Sequence, residues 1–191
     1  MTVSVQSVLA RAGQLLLDLG FDRWTTDELL LWLNDGQREL VAKVKKDAKV
    51  RTYTHTLAPG AKQDNPADCV EILDMRQNDG GNVITPCDRT ALDRFAPDWM
   101  VKPTDSKVKH WMDDQQPNTF YVYPAQNATP ATVVMTYSAV PNQVGLTDNI
   151  DVREIYADNL LNFILYRAFS KDAEFGGDAA RAVAYYQAFS A

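Results

Sequence analysis

An α+β fold is predicted for this chain, with terminal helices forming a four-helix bundle and a small antiparallel β insert between the two helix pairs. Three observations predict it. Apolar residues recur at three-and-four spacing near both ends, which is the period of an amphipathic helix. Between residues 50 and 147 the period falls to two, and prolines punctuate it as they do loops and edge strands. Neither an internal repeat nor a low-complexity segment breaks this order. The expected divisions are therefore a helix pair over 1–49, a β insert over 50–147 and completing helices over 148–191.

The first helix starts at Ser4, because Val5, Val8, Leu9, Ala12, Leu15, Leu16 and Leu19 share a face and Gly20 is placed to stop it. Thr25 and Glu28 have the spacing of a capping box and open a second helix. Its face carries Leu29, Leu33, Gly36, Leu40 and Val44, widened by Leu30 and Val41. A loop this short makes the pair an antiparallel hairpin. Strands are expected over 50–57, 69–76, 83–87, 108–112, 120–123 and 132–139. Ala58-Pro59-Gly60 turns the first of these, and Asn78-Asp79-Gly80-Gly81-Asn82 reads as a hairpin turn. Asp88 caps one short helix through Leu92 to Phe95. After Asp148 the helical period returns at Ile155, Tyr156, Leu160, Phe163, Ile164 and Ala168. Gly176-Gly177 breaks that helix, and Asp178 caps a last one through Val183, Tyr186 and Phe189.

Composition excludes several classes. A hydrophobic share of 46% with 23% charged residues is that of a globular chain and excludes wholesale disorder. The longest apolar runs, such as Leu29 to Leu33, fall far short of the roughly 20 residues that span a bilayer, so no membrane partner is expected. Met1-Thr2-Val3-Ser4 has no feature of a secretory signal, and synthesis in a cytoplasm is expected. Cys69 and Cys87 lie in strand-like stretches outside any C-x-x-C pair and read as core thiols. The net charge of -6 opposes tight binding to nucleic-acid phosphates. The one basic cluster (Lys43, Lys45, Lys46, Lys49, Arg51) complements the negative end of the second helix dipole.

The same residues give no sign of catalysis. There is no phosphate-cradling glycine loop and no nucleophile elbow. His55 and His110 stand in strands without Cys or His partners nearby, so no metal and no cofactor is expected. The acidic pairs Asp113-Asp114, Asp148 with Asp151, and Glu154 with Asp158 read as turn and cap residues. Aromatic residues are the more informative candidates. In Phe120-Tyr121-Val122-Tyr123 the tyrosines share one face, which reads as a sheet-packing face, a subunit contact or a ligand platform. Tyr185, Tyr186 and Phe189 cannot all face one bundle core, which leaves aromatic surface for a partner.

Five segments, in order along nearly the whole chain, carry a resemblance. They are Trp24 with Glu28-Leu-Leu-Leu-Trp-Leu-Asn-Asp-Gly-Gln-Arg-Glu39, Pro117-Asn-Thr-Phe-Tyr-Val-Tyr-Pro124, Ile155-Tyr-Ala-Asp158, Leu165-Tyr-Arg-Ala-Phe-Ser-Lys-Asp-Ala-Glu174 and Tyr186-Gln-Ala-Phe189. Together they resemble the phage adaptor family, the head-to-tail connector proteins of short-tailed bacteriophages, with a looser similarity to tail tubular protein A. The resemblance implies a structural virion protein of the neck, not an enzyme, and no catalytic residues. It also implies a twelvefold homo-oligomeric ring beneath the portal protein. Such a ring would extend the DNA channel without sequence-specific contacts and dock a downstream tail or nozzle protein. A ring contact is heterologous and needs two different complementary patches. Arg167, Lys171, Asp172 and Glu174 are read either as ionic complements to a neighbour or portal subunit, or as a solvated helix end. The segment from Tyr185 to Ala191 is the first candidate for the portal-facing contact. Rival readings are another neck connector, or a virion binding module presenting Trp111, Tyr121 or Tyr123 to a glycan.

Overall fold

A computed structural model describes residues 2–114, 116, 118–172 and 178–190. In chain order these form α1 (Val5–Leu15), α2 (Thr26–Lys43), β1 (Val50–Thr56), β2 (Gly60–Asp64), β3 (Cys69–Asn78) and β4 (Thr85–Pro86). Then come α3 (Arg89–Phe95), β5 (Thr104–Asp105), β6 (His110–Asp113), β7 (Thr119–Gln126), β8 (Thr132–Ala139), α4 (Ala157–Lys171) and α5 (Asp178–Ser190). The chain divides into two compact units, one of residues 1–49 with 141–191 and the other of residues 50–140.

In the helical unit α4 is the central element. Leu160, Leu161, Phe163, Ile164 and Leu165 are buried over most of its circumference, against α1, α2 and α5. Capping fixes where the helices begin. Ser4 Oγ accepts from the Ser7 N–H (3.2 Å), and Thr25 Oγ1 accepts from the Glu28 N–H (3.3 Å). Where α2 crosses α4 the backbones approach so closely that a Cβ on Gly36 would lie 2.9 Å from Phe163 Cδ1. Only glycine fits that seam.

Two polar side chains on the buried face of α2 organise the returning chain. Asn34 Oδ1 accepts from the Val144 N–H (2.9 Å), while Asn34 Nδ2 donates to the Val144 carbonyl (3.0 Å) and to that of Leu30 (3.0 Å). Gln37 Oε1 accepts from the Asp151 N–H (2.6 Å), and Gln37 is fully buried. The Asp151 carboxylate in turn pairs with the buried Lys49 ammonium and accepts from the Asn142 N–H. The Arg153 N–H donates to the Ala48 carbonyl (2.9 Å), and the Val5 N–H donates to the Asp148 carbonyl (3.0 Å). The point where the chain leaves the helices is thus tied to the point where it returns.

The β unit has three layers. A three-stranded antiparallel sheet (β1-β8-β3) faces a mixed sheet (β2-β7-β6-β4) in which β5 also pairs with β7. Between them lies a core of Ile72, Met75, Trp111, Phe120, Val122, Val133, Met135 and Tyr137. The far side of the mixed sheet is covered by α3 and the loop after it, over Ala61, Trp99, Met112, Tyr121 and Ala125.

This architecture corrects the expected four-helix bundle with a small insert. Five helices and eight strands in two sheets are present among the described residues, and the sheets form a large body with two cores of its own. The β part is larger because β7 is buried on both faces, which a single half-exposed sheet does not require. Two strands without a two-residue apolar alternation, β2 and β5, complete the mixed sheet. Its β4–β6 and β5–β7 pairings are parallel, where an all-antiparallel insert was expected. Residues 141–147 group with the helices, not with the strands.

Asn34→Ala leaves the Val144 donor and acceptor unmatched, and a loss of about 2–4 kcal/mol in urea unfolding is expected. Gly36→Ala should cost about 1–3 kcal/mol in the same assay through overpacking against Phe163.

Candidate interaction surfaces

The α1–α2 connection presents apolar side chains on a rigid backbone. α1 stops at Leu15, short of the stop expected at Gly20, because Leu17 takes a left-handed conformation (φ 55°). The Leu17 N–H donates to the Gln14 carbonyl (3.3 Å) and the Asp18 N–H to the Gly13 carbonyl (2.9 Å). That is the bonding of a Schellman motif, with leucine where glycine normally stands. The Asp18 carboxylate then accepts from the Asp22, Arg23 and Trp24 N–H groups, each at 3.0 Å. Those bonds, that from Trp24 foremost, hold the Asp18 carboxyl below the ordinary aspartate range. Arg23 pairs with Asp172 (2.7 Å) and lies over the Trp24 ring. On this locked frame Leu17 is 91% exposed and Leu19 75%, with Leu15 also outward.

The late helices distribute the candidate residues unequally. Phe189 is only 2% exposed; it packs on Phe163 (ring centroids 5.0 Å) and anchors α5 to α4. Tyr185 stacks on Phe169, half-buried. Tyr186 lies partly exposed against Tyr166, under the Lys43 ammonium, with its hydroxyl donating to Glu39 (3.2 Å). Lys171 reaches Glu28 (2.7 Å), and Asp172 holds Arg23, so both charges clasp α4 to the start of α2. Arg167 is exposed beside Glu28, Trp32 and Tyr166 in a shallow groove of about 300 Å³. Glu174, the Gly176-Gly177 break, Pro117 and Ala191 lie outside the described residues.

In the β unit the tyrosine face of β7 is interior. Tyr121 packs edge-on against Trp99 and beneath the Arg89 guanidinium, and Tyr123 stacks on His110. Trp111 and Tyr121 are each 9% exposed, which removes the aromatic platform a glycan-binding reading needs. Exposed apolar surface lies elsewhere, at the end of α3 and beyond it. Phe95 is 88% exposed, and Val101 and Met100 also face outward. Sequence reasoning missed both this tip and the leucine loop: the spacing places Leu19 on the apolar face of the first helix, and Phe95 reads only as the end of a short helix.

The titratable groups are engaged structurally. Asp114 accepts from Thr119 Oγ1 (2.8 Å) and lies near Lys62 and Arg89. Asp148 accepts from the Gly145 N–H (2.7 Å), and Asp158 pairs with Arg11 (2.8 Å). Burial above all, with the nearby Asp68 and Asp113 charges, pushes the Cys69 thiol up to about 11, so it stays protonated at neutral pH. Among the described residues no three His, Cys, Asp or Glu side chains converge as a metal site requires, and no helix is long and apolar enough to cross a membrane.

Because the Asp18 pKa is depressed by folding, its carboxylate stabilises the loop fully above the unfolded value, and that contribution fades as pH falls through the folded one. Hydrogen exchange should therefore show the Asp22, Arg23 and Trp24 amides protected at neutral pH. Protection should drop at a pH below the range where ordinary aspartates protonate, and Asp18→Ala should abolish it at every pH.

A family model described as SU10 adaptor protein matches residues 3–191. No curated protein matches the chain.

Proposed function

The chain belongs to the SU10 adaptor protein family, a family of structural phage adaptors, and from that premise we propose that it assembles as a ring beneath the portal. The ring extends the DNA channel and receives a downstream tail or nozzle protein. The observation that carries this reading is the match over residues 3–191, which takes in both units of the chain.

The surface chemistry supports it. A closed ring of identical subunits uses a heterologous contact, so each subunit needs two unlike patches. The helical unit offers the leucine loop and the β unit offers the Phe95–Val101 tip, two apolar surfaces of different shape. Both are exposed large hydrophobics on fixed backbone, which lowers the ordering cost of docking. The net charge of -6 disfavours adhesion of DNA sliding past. The portal-facing contact is assigned to the outer edge of α5, through Val183 and Tyr186, with Arg167 beside it. Lys171, Asp172 and Phe189 act there as fasteners that hold the presenting helices in place.

Light scattering of the purified protein with the portal ring of the same phage tests this reading. Addition at fixed stoichiometry is expected, and no association at any salt or protein concentration would refute it. Leu17→Gly sharpens the test, since removing a left-handed leucine should raise stability by about 0.5–1 kcal/mol. The same change should weaken ring assembly, an opposition that a purely internal role for Leu17 does not produce.

A further inference from the structure

β1 is the edge strand of the three-stranded sheet, paired with β8 on one side only. Its register with β8 runs unbroken from Val50↔Ser138 to Thr56↔Thr132. Just beyond it the Leu57 N–H donates to the Ala131 carbonyl (3.0 Å), in the same register. In an antiparallel ladder hydrogen-bonded and non-hydrogen-bonded pairs alternate. Arg51, Tyr53 and His55 therefore bond to β8, while Val50, Thr52, Thr54 and Thr56 turn their N–H and C=O groups outward. The Thr132 carbonyl, opposite Thr56, accordingly points the other way and accepts from the Asp79 N–H (2.7 Å).

Protein sheets usually guard such an edge with lysine, proline or a bulge. The opposite edge strand, β3, is guarded in this way, with register irregularities at Cys69/Glu71, Ile72/Asp74 and Met75/Gln77. β1 has none of these. Its sequence is Val-Arg-Thr-Tyr-Thr-His-Thr, and its only formal charge, Arg51, is matched by Asp68 (2.6 Å).

We propose that β1 is a strand-pairing edge through which two copies of this chain join, antiparallel and about a twofold axis, into one six-stranded sheet. A register centred on Tyr53 sets Thr52 against the partner's Thr54 and Val50 against the partner's Thr56. It places all four outward-facing residues in hydrogen-bonded pairs. Tyr53 meets its own copy in the closer, non-hydrogen-bonded position, where aromatic pairs are favourable. On the face opposite Tyr53 the threonine hydroxyl contacts already made within the sheet, Thr52–Thr136 (3.2 Å) and Thr56–Thr132 (3.5 Å), continue into Thr–Thr contacts across the junction. Arg51 falls opposite His55, which burial keeps biased toward the neutral form, so no pair of like charges opposes the register. The face bearing Arg51, Tyr53 and His55 opens onto a groove of about 600 Å³, shared with Asn65 and Asp68, which leaves room for the second tyrosine. An isologous pair is not a contact of a one-directional ring. The paired sheet is thus a property of the free protein and is independent of the ring reading.

The full chain is measured alone, by light scattering across the micromolar range. A dimer is expected, and Thr54→Pro should weaken it about tenfold or more, since it removes an outward donor but no bond to β8. Thr52→Lys with Thr54→Lys should do the same with the thermal unfolding transition retained, which separates loss of pairing from loss of fold. Tyr53→Cys should give a disulfide-linked dimer under mild oxidation, because the non-hydrogen-bonded position brings the two Cα atoms within disulfide range, whereas the unsubstituted chain should not. A monomeric unsubstituted chain, a dimer indifferent to the Lys pair, or failure of Tyr53→Cys to crosslink would each overturn the proposal. A monomer whose binding to a tail protein is lost in the Lys variant would overturn it in favour of a strand donated by that protein.

Discussion

The helical unit depends on one buried polar clasp. Asn34 and Gln37 occupy the apolar face of α2, where an unpaired amide would cost as much as a lost core methylene or more. They are tolerated because the returning segment offers them backbone groups in matching positions. Asn34 mimics a strand against Val144, accepting and donating at once. Gln37 fixes Asp151, and Asp151 meets the Lys49 ammonium. Long-range bonds of this kind select one register for residues 141–152, since a shift of one residue would orphan several buried groups together. Apolar contacts alone would tolerate such a slip. The clasp therefore supplies specificity, while α4, with its broad apolar girth, buries more apolar residues than any other helix.

The most exposed of the apolar residues in the left-handed region is Leu17. Leucine in the left-handed region costs about 1–2 kcal/mol relative to an ordinary conformation, and Leu17 recovers little of that by burial. The Asp18 carboxylate holds the turn through three backbone N–H bonds, so the loop does not relax. A fold selected only for monomer stability would put glycine at this position. An exposed, strained and locked apolar residue fits the assembly contact proposed for it.

Much of the local structure was legible because its causes are local. The caps at Ser4, Thr25 and Asp88 each bond within three residues, and the glycine turn after Asn78 follows from two positive-φ glycines. What failed was non-local. Asn34 drew no reading of its own, since its partner Val144 lies far along the chain. The helical spacing of Leu15, Leu16 and Leu19 concealed a helix end set by the left-handed Leu17, with the turn after it held by Asp18. In the β unit, Phe-Tyr-Val-Tyr reads as a strand with one core face and a tyrosine face open to three roles: sheet packing, subunit contact or ligand platform. A second core under α3 makes both faces interior, and no neighbouring residue announces that layer. For the same reason Lys171 and Asp172 looked available, whereas their partners Glu28 and Arg23 belong to the other end of the chain.

The remaining free surfaces differ in how they recognise a partner, and that difference has consequences for assembly order. In the proposed ring the leucine loop and the Phe95 tip would bind by apolar burial, which is weakly directional and suits many small contacts summed around a closed assembly. The β1 edge would bind through backbone hydrogen bonds, whose spacing admits only an extended strand in register. A shape-tolerant surface can be selected on a template that supplies many neighbours at high local concentration. A register-specific surface can act between two free chains, where no template exists. Pairing at β1 would hide an edge prone to indiscriminate association until a stronger, multivalent set of contacts becomes available. On that reading the strained Leu17 and the unguarded β1 edge would serve different stages of assembly.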